Sequence, residues 1–304
     1  MRVAAVQMNS TADQVANLAA ADRLTRAAAA DGATLIVLPE KWTAMGSEEQ
    51  LRAGAETLGG AAIGWARAIA RELRVDLVAG SILERVSGQA KLANTSVHVS
   101  PQGELLASYR KVHMFDVQVG GRIYRESELE QPGEEIVLSR TAASSSERDG
   151  IELGLSICYD LRFPELYRIL AVRGARIVAL PAAFTLETTR DHWRALVRAR
   201  AIENQVFVIA ANQVGEHPGG QHSGGRSMIV DPWGVVLSQA PDREGYILAE
   251  LDLERQREIR TRLPSLANRR PSAYRWPEDE SIASDDAPTE PAEHAATVAS
   301  EAHA

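Results

Sequence analysis

An α/β fold is predicted by three features of this chain. Short runs of β-branched and aliphatic residues recur along it, helical stretches separate them, and each long helical stretch lies between two of the runs. No repeat and no linker interrupts residues 1–275, so a single domain is expected there.

Residues 3–8 read as a first strand and 13–30 as a helix. Residues 34–38 form an apolar run that Pro39 stops, with Glu40 directly beyond it. A helix over 61–74 leads to strands over 75–82, 93–100 and 104–109. The last two are joined by a turn at Pro101-Gln102-Gly103, and Arg110 and Lys111 follow the third. Residues 141–150 read as a polar surface insertion before a strand over 151–157, which ends at Cys158. Pro164 suits the first turn of a helix over 164–173, where its missing N–H costs least, and Glu165 favours the same end electrostatically. Next come a strand over 176–180, a helix over 189–204 and a strand over 206–211. Residues 212–225 read as a long loop containing Gly and His, of a length that is often functional. The turn Asp231-Pro232-Trp233-Gly234 joins strands over 227–230 and 235–237. A strand over 245–251 and a short helix over 253–261 complete the pattern.

Composition narrows the function. The apolar content of 45% allows a full-sized core, and no apolar run approaches the ~18 residues of a membrane span. A lone cysteine, with no export signal at the N-terminus, points to a reducing cytoplasm. The net charge of −8 resides in residues 276–304, which carry eight acids and no Lys or Arg. Removing those eight from the 41 acids leaves 33, equal to the 33 bases, so the folded part has no net positive field to recruit nucleic acid. The acidic segment, rich in Ala, Ser and Pro, is expected to be a disordered, solvated tail. No HExxH, paired-cysteine or phosphate-loop spacing occurs, and no metal or cofactor is expected. His217 and His222, in the Gly-rich loop, read as solvent-exposed. Ser156 reads as part of a strand, because Gly154-Leu155-Ser156-Ile157-Cys158 lacks the second glycine of a serine elbow.

Three ionisable residues share one kind of place. Glu40, Lys111 and Cys158 each follow a strand, and ligands of wound sheets collect beyond the carboxyl ends of strands. A cysteine nucleophile acts as thiolate, which a nearby ammonium favours and a carboxylate base can generate. The ammonium can also hold an oxyanion, so acyl transfer through a thioester is the chemistry the set would perform. Taken singly, each residue has a plainer reading: Cys158 as a small core hydrophobe, Glu40 and Lys111 as solvated charges at strand ends.

Together with their surroundings these residues resemble the nitrilase, or carbon–nitrogen hydrolase, superfamily. The resemblance is carried in order by Leu38-Pro39-Glu40, by Tyr109-Arg110-Lys111-Val112-His113-Met114-Phe115-Asp116, and by Gly154 through Glu165. It continues through Pro181-Ala182-Ala183-Phe184-Thr185, His192-Trp193, Arg198 through Asn204, and Val230-Asp231-Pro232-Trp233-Gly234. It covers residues 1 to about 275 and implies a four-layer α-β-β-α sandwich, dimeric through its helical faces. It implies Glu40 as general base, Lys111 as oxyanion-stabilising cation and Cys158 as nucleophile. The N–H of Tyr159 is implied as a second oxyanion donor. Tyr124-Arg125-Glu126-Ser127 matches a family loop motif, so Glu126 inherits the role of holding Lys111 and assisting substrate placement.

Within the family the chain looks most like amidases acting on deaminated glutathione, with the ω-amidase branch nearly as close. Both substrates carry a carboxylate, for which Arg162, Arg122 and Arg125 are the candidate partners, a structural ion pair being the other reading of Arg162. Phe184, Thr185 and His192 stand in the matching stretches and join the candidate substrate set, with helix packing as the other reading of His192. Arg226 stands where such amidases often carry His, which raises the question of whether it borders the pocket. The rival readings are the same fold cleaving N-carbamoyl compounds or nitriles, and a non-catalytic scaffold.

Overall fold

The computed structural model describes residues 1–142 and 149–274. Two sheets form its centre. In the first, Gly245–Glu250, Arg2–Gln7, Leu35–Val37, Asp76–Val78 and Ala93–Val99 lie side by side, with Ile82–Glu84 and Leu105–Arg110 both paired to Ala93–Val99. In the second the order is Val236–Gln239, Met228–Val230, Phe207–Asn212, Ile177–Ala182, Glu152–Leu155 and Leu138–Arg140. The inner strands of each sheet run parallel, as Val3 beside Leu35 and Leu153 beside Ile177 show.

The period-2 alternation of strand side chains divides the core. Val3, Ala5, Leu35, Val37 and Val78 join one apolar cluster with the side chains of the second sheet. Their neighbours Ala4, Val6, Ile36, Leu38 and Leu77 join another, with Leu24 and Ala28 of the helix Gln14–Ala30 and Ile63, Ala66 and Ile69 of the helix Ala61–Leu73. Helices Pro164–Val172 and Arg194–Asn204 cover the second sheet through Leu166, Tyr167, Leu170, Val197 and Ala201. Gly154 lets that cover approach, since a Cβ there would stand 3.0 Å from Leu170 Cδ1. The result is the four-layer α-β-β-α sandwich. No helix among the described residues is long and apolar enough to cross a membrane. In the separate compact unit that starts at Asn268, the described residues include one 3₁₀ turn, Pro271–Ala273.

Several elements depart from the sequence expectations. The strand expected over 75–82 is two strands, Asp76–Val78 and Ile82–Glu84, parted at Gly80, whose φ of +53° breaks the extended path. The helix expected over 189–204 begins as a π-helical turn, Thr189–Trp193, and becomes α-helical at Arg194–Asn204. The loop expected over 212–225 is a hairpin of Val214–His217 with Gln221–Gly224. His217, expected in solvent, is buried in it between the Ser10 carbonyl and the Ser223 hydroxyl. The helix Glu48–Gly54, held by a Ser47/Gln50 capping box, was not anticipated, nor was the hairpin Asp116–Val119 with Arg122–Arg125. Residues 143–148 of the polar insertion and the acidic segment 276–304 lie outside the described residues.

Gly80 lies against the segment that delivers Glu40. A Cβ there would stand 2.0 Å from the Pro39 carbonyl oxygen and 2.8 Å from the Trp42 ring. Gly80→Ala is therefore expected to cost about 2 kcal/mol or more through clash and positive-φ strain. Thermal unfolding checks this, and an unchanged Tm would refute it.

Candidate active site

Three strand ends meet at one cavity of about 450 Å³. Glu40 follows Leu35–Val37 in the first sheet, Lys111 follows Leu105–Arg110 in the same sheet, and Cys158 follows Glu152–Leu155 in the second. The sheets are tied together here: the Glu40 N–H reaches the Ala182 carbonyl at 3.4 Å, and the Ala183 N–H donates to Glu40 Oε2 at 2.9 Å. Glu40, Lys111, Glu126 and Cys158 all line the cavity.

Lys111 is 1% exposed and spends its ammonium on carboxylates. Nζ stands 3.1 Å from Glu40 Oε1 and 2.9 and 2.7 Å from Glu126 Oε1 and Oε2. Burial by itself favours the neutral amine, but Glu126 and Glu40 outweigh it and hold Lys111 well above the ordinary lysine value. The reciprocal holds for Glu126. Burial would raise its carboxyl, yet the ammoniums of Lys111 and Lys41 bring it below the usual carboxylate range. The Phe115 N–H donates to Glu126 Oε2 at 2.8 Å and secures its orientation. Glu40 is oriented as tightly: Asn94 Nδ2 donates to Oε1 at 2.8 Å, and Gln213 Nε2 donates to the Glu40 backbone carbonyl at 3.0 Å.

Cys158 opens a 3₁₀ turn, Cys158–Arg162, with φ of +46°, a left-handed conformation that costs a non-glycine residue of order 1 kcal/mol. Buried Asp160 holds this elbow. Its Oδ2 accepts from the Ile157 N–H at 2.8 Å and the Tyr109 hydroxyl at 2.7 Å. Its Oδ1 accepts from the His113 backbone N–H at 3.3 Å and pairs with His113 Nδ1 at 2.7 Å. Burial, followed by the charge of Glu40 and a hydrogen bond to it, pushes the Cys158 thiol well above its ordinary value, against the opposing pull of Lys111. Both influences favour the neutral thiol, which stands beside a carboxylate able to accept its proton. The arrangement can deliver a thiolate to a carbonyl carbon while Lys111 faces the developing oxyanion.

The remaining sequence candidates divide. Arg162, Phe184 and Thr185 line the cavity. The Arg162 guanidinium sits 5.8 and 5.5 Å from the Tyr159 and Phe184 ring centres, and among the described residues no carboxylate pairs with it. The ion-pair reading of Arg162 is thus set aside. The Tyr159 ring is outside the lining and packs edge-on to Phe115 and Phe163, while its backbone N–H lies in the first turn of the elbow. His192 is exposed and does not line the cavity; its Nδ1 lies 3.3 Å from Arg162 Nη1. Arg125 reaches the cavity edge near Glu128, whereas Arg122 grips the Gly219 and Gly220 carbonyls across the two hairpin tips. Arg226 does not line the cavity and pairs with Asp242 instead. Ser156, just past its strand, donates to the Ala179 carbonyl within the core. Among the described residues no cluster of His, Cys, Asp and Glu has the form of a metal site.

Sequence reasoning missed Asn94, Asp160, Lys41 and Glu130. Asp160 lies inside a quoted block, and an acid next to an apolar strand end is a usable signal; Asn94 sits inside a strand and gave none.

The chain matches the carbon–nitrogen hydrolase family over residues 2–261. It is 41% identical over 268 residues to a deaminated glutathione amidase of Synechocystis sp., covering 88% of this chain and 97% of that one. It is 36% identical over 274 residues to the omega-amidase NIT2 of Mus musculus, covering 90% and 96%. The crystal structure of the C. elegans NitFhit protein superposes with a TM-score of 0.80 at 34% identity, covering 90% of this chain and 66% of that one. This chain belongs to the carbon–nitrogen hydrolase family, and it is a hydrolase of carbon–nitrogen bonds other than peptide bonds.

Asp160→Ala is expected to leave buried donors on Tyr109, Ile157 and His113 unpaired, at a cost of about 3 kcal/mol or more, and to slow alkylation of Cys158. Tyr109→Phe removes one donor and leaves the carboxylate its others, at a cost of about 1 kcal/mol. Chemical denaturation of both variants checks the ordering, and equal losses would contradict the hub role of Asp160.

Proposed function

We propose that this chain is a cysteine-dependent amidase that converts a small, carboxylate-bearing amide to the carboxylate and ammonia. The observation that carries the reading is the convergence of a carboxylate, an ammonium and a thiol in one cavity that also exposes a guanidinium with no carboxylate partner among the described residues. Glu40 accepts the Cys158 proton and sulfur attacks the carboxamide carbon. Lys111 and the Tyr159 N–H hold the oxyanion. Protonated Glu40 then gives its proton to the departing ammonia. Water, deprotonated by Glu40, attacks the thioester, and the carboxylate leaves with Cys158 regenerated. Glu126 holds Lys111 in place throughout. No metal or organic cofactor enters the cycle.

Arg162 is the partner we assign to the substrate carboxylate, with Phe184 and Thr185 beside it and His192 bracing it from outside. The cavity volume suits a metabolite the size of deaminated glutathione or α-ketoglutaramate. A homodimer through the helical faces is supported by exposed Ile169, Val172 and Ile202, the last set against the turn at Trp233 and Gly234. The lone, unbridged cysteine supports a cytoplasmic setting.

Ammonia release from both amides, measured side by side, tests the reading. Cys158→Ala is expected to lose about 10⁴-fold or more in kcat. Arg162→Ala is expected to raise KM about tenfold for these substrates and to spare an uncharged amide. Activity surviving in Cys158→Ala would overturn the nucleophile.

A further inference from the structure

Beyond the four residues of the proposed cycle lies a second buried ion pair. Lys41 directly follows Glu40 and has a left-handed backbone, with φ of +48° and its N–H donating to Ser81 Oγ at 3.0 Å. That turn sends its side chain to the same carboxylate that holds Lys111. Lys41 Nζ stands 2.9 Å from Glu126 Oε1 and 2.6 Å from Glu130 Oε1. Glu130, one helical turn beyond Glu126, is 1% exposed, and its backbone N–H donates to the Glu126 carbonyl at 2.9 Å. The charges form one unbroken chain: Glu40, Lys111, Glu126, Lys41, Glu130. Both ammoniums share a single oxygen, Glu126 Oε1.

We propose that Lys41 and Glu130 are positioning residues for the amide hydrolysis: as a second ion pair on that shared oxygen, they set where Glu126 and the Lys111 ammonium stand, and the proton on Glu130 modulates them. This rests on the amidase reading for its kinetic arm, and on geometry alone for the rest.

Two observations support a proton on Glu130. Three carboxylates face two ammoniums in the chain, so one neutral acid balances it. Glu130 Oε2 is buried and finds no partner among the described residues, an arrangement far less costly for a neutral carboxyl than for a carboxylate. Burial, and then the charge of Glu126, push this carboxyl up to about 8, against the opposing pull of Lys41 and Lys111. The other charges around it are separately placed: Lys91 is exposed and donates to the Ser127 carbonyl, and Glu128, Glu48 and Glu49 lie in solvent. Burial works against the charge on Lys41, but Glu126 and Glu130 hold it well above the ordinary lysine value.

The sign of the modulation follows. As pH rises through the Glu130 titration, the chain gains a negative charge. Lys111 is then held more tightly, and ionisation of Cys158 is further opposed. Removing Lys41 alone has the same sense, because Glu40 and Glu126 are then left with one ammonium between them even while Glu130 keeps its proton.

The test uses the full chain as wild type, Lys41→Met, Glu130→Gln and the double variant. The rate of Cys158 alkylation by iodoacetamide is followed from pH 6 to 10, alongside kcat and KM for ammonia release and the Tm of each protein. Lys41→Met is expected to slow alkylation at least tenfold, and to lower kcat about 100-fold with KM changed less than threefold. At the alkaline end of the range the double variant is expected to regain at least tenfold of that kcat loss, because Gln at position 130 cannot add a third carboxylate to the one remaining ammonium. The wild-type plot of log alkylation rate against pH is expected to bend near 8, and the isosteric Glu130→Gln to remove the bend. Identical profiles for wild type and Glu130→Gln, or a double variant whose losses multiply, would overturn the proposal. If the wild type hydrolyses neither amide, the amidase reading fails while the alkylation profiles still decide the role of the pair.

Discussion

Keeping an ammonium charged while all but about 1% of the residue is buried is the constraint on which the site depends. Moving Lys111 out of solvent is costly, and attraction to a single carboxylate seldom repays it. Here Glu40 and Glu126 sit on the same nitrogen, each carboxylate is oriented by further donors, and Lys41 supports Glu126 from its far side. Removing any one member would leave a buried charge without its counterpart. The charged chain therefore demands that Leu35–Val37 and Leu105–Arg110 end at the right depth relative to the sheet carrying Cys158. The apolar cluster shared by both sheets secures that depth.

Against this polar chain Cys158 is held by strain and by one carboxylate. A left-handed Cys158 survives because Asp160 secures the elbow through Ile157, Tyr109 and His113. The thiol is not stored as thiolate, since burial and Glu40 oppose its ionisation. Under the proposed cycle, proton transfer is coupled to attack, and a buried, neutral thiol reacts slowly with solvent oxidants. Arg162 differs from Lys41 and Lys111 in lying against aromatic faces with no carboxylate partner among the described residues.

Which parts of this were legible in the sequence depended on range. Strand ends at Glu40, Lys111 and Cys158 were readable because apolar runs stop sharply there, and the family resemblance added Glu126 through a local motif. The hairpin over 212–225 was read as a loop because Gly and His obscure the alternation that marks a strand, and His217 was consequently put in solvent. The break at Gly80 was missed because the apolar run carries straight across it. His192 stands within a π-helical turn, a geometry with no composition signal, and does not line the cavity.

By itself the sequence determined the alternating architecture and three ionisable side chains at strand ends, because periodicity and chain breaks are local properties. Only the tertiary structure decided which charges meet. Lys41 is adjacent to Glu40 in the chain, yet its partners are Glu126 and Glu130, 85 and 89 residues away. Lys41 and Glu130 have the residue types of ordinary surface charges. Their burial, and hence their electrostatics, follows from how the two sheets and the loops between them close over the site, which no local pattern encodes.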